Sequence, residues 1–438
     1  MSAVPSRLPA LADHRYLRFA AFATLYAAQG LPSALFSAAI PGWLAARGAS
    51  IGEVGGYMAV AFLPWSFKLI AGPIMDRFTY LPMGRRRPWV IGAQLGLTFA
   101  MILLAFVPDP ENHLALLAAA GFVANGFAAL QDVAVDGMAI DVLPHGDRAR
   151  ANAFMFGGQA LGAAATASGG TYLLVNFGIM TAGFMMCGAV AVIMLVPLFF
   201  RERPGERLLP WTPGRPSAHA ESLQVHEWRP ILSDLGRSLI LPMSILLVTV
   251  EFLQRASSGI LNAVAPVLTV TELGWSEQTW GDWVAISSIV SAISGVLIAP
   301  LVDIYGARGA LALAILGKAL VVGSVPMFQH LWMEQSFFAS VIVANAVLSQ
   351  VVTVAIIAIF MNICSPRVAA TQFAIYMASA NLALAAGNAI AAALDPLLDA
   401  PGMLYVAAGF NVLFLALWPM FDMESHRQRM ADKGLLEI

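Results

Sequence analysis

Residues 54–107 read VGGYMAVAFLPWSFKLIAGPIMDRFTYLPMGRRRPWVIGAQLGLTFAMILLAFV. Two long apolar runs flank a short loop with Arg77, Arg85, Arg86 and Arg87, and each run is close to the ~20 residues that cross bilayer hydrocarbon. Such runs recur along nearly the whole chain. Of 438 residues, 59% are hydrophobic and 11% charged, where soluble chains carry about a quarter charged. A water-soluble globule could not hide that much apolar surface. The chain therefore reads as an all-α integral membrane protein, because a helix satisfies its own backbone hydrogen bonds in lipid.

Breaks at charged and Pro/Gly-rich turns divide the chain into twelve transmembrane helices. Spans 1 to 6 are expected near 17–45, 54–75, 88–107, 113–142, 151–175 and 179–200. Spans 7 to 12 are expected near 238–268, 279–301, 310–328, 335–362, 369–394 and 401–421. If the N-terminus is cytoplasmic, the cytoplasmic tails and loops hold 20 of the 24 Lys and Arg residues. Only Arg47 falls in an outside loop, and Lys68, Arg255 and Lys318 fall inside spans. Lys and Arg gather on the cytoplasmic side of membrane proteins, so this segregation supports both the count and the orientation. The N-terminus lacks a small-residue cleavage pattern after a short apolar run, so it reads as a retained first span. The expected placement is multi-pass in the cell inner (cytoplasmic) membrane, as a monomer with both termini cytoplasmic. Cys187 and Cys364 have no metal-ligand spacing and read as small core residues. No metal, cofactor or nucleic-acid patch is expected.

The polar stretch 201–237, RERPGERLLPWTPGRPSAHAESLQVHEWRPILSDLGR, reads as a cytoplasmic linker between an N-terminal bundle, 1–200, and a C-terminal bundle with its tail, 238–438. The halves repeat. GPIMDR (Gly72 to Arg77) closes span 2 and APLVDI (Ala299 to Ile304) closes span 8, pairing Pro73 with Pro300 and Asp76 with Asp303. RARANAF from Arg148 opens span 5, and RVAATQF from Arg367 opens span 11. Two pseudo-symmetric six-helix bundles with a central cytoplasmic loop resemble the major facilitator transporters, which expose a central site alternately to each side. Loop 2–3 is similar to that family's signature G-x-x-x-D-R-x-G-R-R, with five additional residues before Gly84. The resemblance implies that Asp76 acts at the gate, and Arg85 to Arg87 read mainly as charges that fix topology.

Ionisable side chains at membrane depth are costly and mark function. Span 4 contains Gln131, Asp132, Asp136 and Asp141, and Asp132 and Asp136 share a helix face. Lys68 lies eight residues before Asp76 and Asp132 nine before Asp141, about 12 Å and about 13–14 Å along a helix, so their depths match. Lys68, Asp132 and Asp136 are the candidate proton-coupling and charge-relay groups; a fixed structural ion pair is the alternative. Asp141 is expected to pair with a loop arginine such as Arg148 or Arg150. In span 7, Glu251 and Arg255 sit one turn apart, either neutralising each other or offering a guanidinium to a substrate carboxylate or phosphate. With them, Gln29, Gln131, Gln159, Gln254, Asn345 and Gln350 are the expected cavity residues. Gln29 precedes the helix-disturbing Gly30-Leu31-Pro32 of span 1. Lys318 reads as a lysine that snorkels toward the cytoplasm.

Four stretches carry a closer likeness: YAAQGLPSAL from Tyr26, PWSFKLIAGPIMDR from Pro64, GRRRPW from Gly84 and QDVAVDGMAIDVLP from Gln131. They resemble the branch that contains the muropeptide permeases (AmpG type) and the acetyl-coenzyme A transporters. QDVAVDG is similar to the latter, while MDR and DVLP look like the former. The resemblance implies proton-driven uptake of anhydromuropeptides for peptidoglycan recycling, with an acyl-coenzyme A thioester or a siderophore as the alternative solute. A membrane sensor or scaffold that binds without transporting is the competing class. An intramembrane enzyme finds no support, since no HExxH or GxSxG motif stands inside a span.

Overall fold

The computed structural model describes residues 9–222, 239–364 and 369–432. Among these residues the chain is helical, with one isolated bridge between Ala10 and Arg201. Eleven stretches are long and apolar enough to cross a membrane. One of them, Arg150–Phe199, runs 50 residues, more than twice what a bilayer needs. It is broken at Gly178, whose φ of 77° is left-handed and open to glycine. The stretch thus contributes spans 5 and 6, and twelve spans result.

Local chemistry sets several span ends. At the start of span 2, Glu53 N–H donates to Ser50 Oγ at 3.2 Å, and Ser50 N–H donates to the Glu53 carboxylate at 2.9 Å, a reciprocal cap. Ser276 caps span 8 by accepting from Thr279 N–H at 3.0 Å, and Asp399 caps span 12 by accepting from Gly402 N–H at 2.9 Å. Pro64 removes an N–H inside span 2, and the chain there tightens into the 3-10 segment Leu63–Phe67 before α-helix resumes over Lys68–Arg77. Span 1 carries a π-helical turn at Leu35–Ala39.

By contacts, the chain falls into two compact units, Met1–Phe36 with Ile70–His226, and Ser37–Leu69 with Glu227–Ile438. The divisions in spans 1 and 2 lie in the π-helical turn and two residues past the 3-10 turn. In the first unit, Phe22, Leu25, Met75, Val90, Val135 and Met138 form the core. In the second, Leu247, Val250, Leu311, Ile356, Phe360, Tyr376 and Phe414 do so, with the rings of Phe360 and Tyr376 stacked at 4.7 Å. The second unit also holds the loop 1–2 end of the first hairpin, where Ser50 Oγ donates to Asp395 at 2.7 Å and Trp280 Nε1 donates to the Ala38 carbonyl at 3.0 Å.

Helix pairs come into backbone contact in each unit. A Cβ added at Gly158 of span 5 would overlap the Ala23 carbonyl of span 1, and one added at Gly387 of span 11 would overlap the Ala256 carbonyl of span 7. Small residues give such close approach in lipid, where hydrophobic force between helices is absent. Gly158→Ala is therefore expected to cost about 1–3 kcal/mol through overpacking. Gly157→Ala, beside it but with open space at its Cβ, is expected to be neutral. Thermal unfolding of the two purified variants in detergent checks the contrast.

Candidate functional site

In the first unit the polar groups at membrane depth converge on span 1 from spans 4 and 5. Asp136 accepts a short hydrogen bond from the Tyr26 hydroxyl, and Asp132, one turn earlier, is buried on the same helix face. Gln131 donates from Nε2 to the Leu25 carbonyl at 2.8 Å, and Gln159 reaches Gln29 Oε1 at 3.5 Å. Gln29 and Gln131 are fully buried, and Gln29 Nε2 and Gln131 Oε1 have no partner. The three glutamines pin span 1 between its neighbours. Tyr26 was not marked as a site residue, because an aromatic ring in an apolar run looks like core.

In the second unit, Lys68 opens the helix after the 3-10 turn, and its Nζ lies 4.5 Å from the centroid of the Trp65 ring. Asn381 Nδ2 donates to the Trp65 carbonyl at 3.3 Å and anchors that turn to span 11. Glu251 is 2% exposed and accepts from Arg255 Nε at 2.8 Å, while the Arg255 side chain stays 27% exposed. The self-neutralising pair is thus present, and it leaves the terminal nitrogens of the guanidinium over. Lys318 does not snorkel: it is 0% exposed and donates to Ser258 Oγ at 3.2 Å. Gln350 accepts a 3.4 Å bond from Ser291 of span 8 and is used in helix contact. Asn345 lines a mostly apolar cavity of ≈ 60 Å³ with Leu261, Val264, Val322 and Phe338, far below the few hundred Å³ that a solute needs.

At the other end of the first unit, loop 2–3 forms a charge network. Arg85 spans two carboxylates, donating to Asp76 at 2.7 Å and to both oxygens of Asp141 at 3.1 and 3.0 Å. Arg86 also donates to Asp76. Asp141 thus finds Arg85, where the sequence pointed to Arg148 or Arg150. Arg85, Arg86 and Arg87 are buried rather than solvated loop charges. Arg77 is exposed at the end of its helix. The side chains of Arg148 and Asp303, and all of Arg367, lie outside the described residues.

The first part of the 201–237 stretch packs on this network. Buried Glu202 accepts from the backbone N–H groups of Arg85 at 3.1 Å, Arg86 at 2.8 Å and also Arg87, where span 3 begins. An anion is favoured there because the first N–H groups of a helix lack intrahelical partners. The Arg87 guanidinium in turn holds the carbonyls of Arg207, at 2.8 Å, and of Leu208. Burial pushes the Glu202 carboxyl above the usual range against the pull of those N–H groups. Burial, then the charge of Glu202, pushes Glu206 up to about 7. No local pattern announces this, since RERPGER reads as a charged coil.

Residues 22–250 and 247–437 match the Major Facilitator Superfamily. The chain belongs to the major facilitator superfamily. The anhydromuropeptide permease of Escherichia coli (strain K12) is 32% identical over 135 residues, 31% of this chain and 27% of that protein. The chain thus matches about a quarter of the length of that relative. A putative transporter of Rickettsia felis, AmpG 4, is 24% identical over 382 residues, 81% of this chain and 84% of that one. Among solved structures, the D-xylose-proton symporter has a TM-score of 0.65 at 13% identity, covering 92% of this chain and 97% of its own. The human organic anion transporter MFSD10 has a TM-score of 0.62 at 16% identity, covering 92% and 99%. These structures share the facilitator fold with this chain.

Glu206 gives the linker contact a pH dependence with a fixed sign. Its folded pKa lies above the ordinary carboxyl value, so the proton stabilises the docked segment; that stability is full below the unfolded value of 4.5 and is lost as pH rises through about 7. Hydrogen-exchange protection of the Arg207 and Arg215 amides, corrected for intrinsic rates, is expected to fall several-fold from about pH 5 to about pH 8. In Glu206→Gln the fall is expected to shrink, with the remainder due to Glu202.

Proposed function

We propose that this facilitator is a secondary active transporter working by alternating access, driven by protons and taking up an anhydromuropeptide-like or other large polar, anionic solute. The observation that carries the reading is the placement of Asp132 and Asp136, with the Tyr26 hydroxyl, at membrane depth on the helix that resembles the muropeptide permease branch. A carboxylate at mid-membrane costs about 2.5–3.5 kcal/mol on insertion scales. A group held there against that cost, beside a neutral hydroxyl, is suited to take up and release a proton. The partial match to the Escherichia coli anhydromuropeptide permease and the longer match to the Rickettsia felis protein support the solute class.

Lys68 is proposed to share the proton-coupling task with the two aspartates, with the span 2 break at Pro64 giving its helix freedom to turn. Arg255, steadied by Glu251, is proposed to face the solute with Gln254. Asp76, Arg85, Arg86 and Asp141 are proposed to hold the inward gate. The membrane is proposed to be the cytoplasmic one, with both termini in the cytoplasm and the chain acting as a monomer.

Uptake of labelled N-acetyl-anhydromuramyl tripeptide into vesicles tests the reading. With an inward proton gradient, the wild type is expected to accumulate the label, and Asp132→Asn to lose that accumulation at unchanged protein level in the membrane. Full accumulation by Asp132→Asn would remove Asp132 from the coupling role, and binding without accumulation by the wild type would favour a sensor.

A further inference from the structure

Lys318 stands apart from the ion pairs described above. Its Nζ is enclosed in the second unit, its hydrogen bond goes to the neutral Ser258 hydroxyl at 3.2 Å, and among the described residues no carboxylate lies within ion-pair distance of it. The charged groups that act on it are Arg255 and Glu251. An ammonium has three N–H donors, and one is used here. Arg255 commits its Nε to Glu251 at 2.8 Å, while among the described residues its terminal nitrogens make no hydrogen bond. Arg255 thus holds Glu251, and Lys318 is left without a carboxylate partner among the described residues.

The arrangement has a consistent geometry. Glu251, Gln254, Arg255 and Ser258 occupy positions i, i+3, i+4 and i+7 of span 7 and form one polar stripe on an otherwise apolar helix. Gln254 Nε2 lies 3.5 Å from Ser258 Oγ, and Gln254 Oε1 is buried without a partner. Lys318, from span 9, meets the stripe at Ser258. Arg255 and Ser258 are only partly buried, so the stripe is open in front and backed by a buried cation.

We propose that Arg255, Ser258 and Lys318 form an oxyanion subsite that holds a carboxylate or phosphate group of the transported solute. The proposal rests on the reading of the chain as a carrier of an anionic solute. The guanidinium offers two parallel donors to one edge of the oxyanion, and Glu251 fixes its plane through Nε. The Ser258 hydroxyl, which now donates to the Gln254 carbonyl at 3.2 Å, turns to donate to a further oxygen. Lys318 polarises that hydroxyl from behind and supplies the charge that Glu251 leaves uncompensated. A polar stripe with a surplus cation attracts an anion and gains little from a neutral sugar.

The test uses the purified full-length protein in nanodiscs. Inorganic phosphate and acetate, each compared with chloride at equal ionic strength, are expected to raise the Tm of the wild type and of Lys318→Arg, but not of Lys318→Met or Ser258→Ala. Lys318→Met replaces a buried charge by an apolar chain of similar length, a change that buried sites tolerate, and a monodisperse elution profile confirms that it folds. Binding of N-acetyl-anhydromuramyl tripeptide and of acetyl-coenzyme A separates a carboxylate source from a phosphate source. The one that the wild type binds is expected to bind Lys318→Met about tenfold more weakly. The tripeptide with its carboxylates amidated is expected to bind both proteins alike. If phosphate and acetate act as expected but neither solute binds, the solute assignment falls and the subsite stands. If neither anion stabilises the wild type, or if Lys318→Met keeps the effect, the subsite is refuted.

Discussion

An ion in hydrocarbon is tolerated only where a partner, water or cargo compensates it, and that constraint organises both units of this transporter. In the first unit, Asp136 accepts a hydrogen bond from the phenol of Tyr26. In the second, Arg255 meets one oxygen of Glu251 while the other is buried with no hydrogen-bond partner among the described residues, and Lys318 is left to a serine hydroxyl. One unit thus offers carboxylates and the other offers cations. The proposed proton site draws on the first kind of group, and the proposed oxyanion subsite on the second.

The loops of the two units handle charge differently. Where loop 2–3 meets residues 201–222, arginines and carboxylates alternate: Arg85 joins Asp76 to Asp141, Glu202 fills the N-terminus of span 3, and Arg87 ties the following segment down through its carbonyls. At the loop 1–2 end of the second unit the contacts are sparser, with Ser50 on Asp395, Arg47 stacked 3.9 Å over Trp43 and a 3.7 Å ion pair from Arg47 to Glu277. Multi-centre networks of charged groups rearrange in discrete steps rather than by small drifts. The units divide within the π-helical turn at Leu35–Ala39 and just past the 3-10 turn at Leu63–Phe67, where the α-helical hydrogen-bond pattern is interrupted.

The fold was legible because hydrophobic length and basic-residue placement are properties of whole segments. Even the division of residues 150–199 was visible, since Gly178 follows an apolar run of full span length and precedes another. The site was legible only where a charged type stood out against an apolar run. Asp132, Asp136, Glu251 and Arg255 stand out in that way. Tyr26 does not, because its ring is as suited to core as to a carboxylate, and Lys318 was placed at an interface because a lone lysine carries no sign of where it points. Glu202 and the Asp141–Arg85 pair depend on contacts more than fifty residues apart in sequence, which no local pattern encodes. Gln29, Gln131 and Gln350 were picked as cavity groups, yet their hydrogen bonds hold helices together, as polar residues in membranes also do.

The proposed roles of the membrane-depth charges require that water reach them within each unit. With Cys187 and Cys364 replaced by serine, single cysteines at positions 136 and 255 should react with a water-soluble, charged maleimide in intact proteoliposomes, while cysteines at the exposed apolar positions Ile140 and Phe252 of the same helices should not. Reaction at Ile140 and Phe252 together with silence at 136 and 255 would contradict the account.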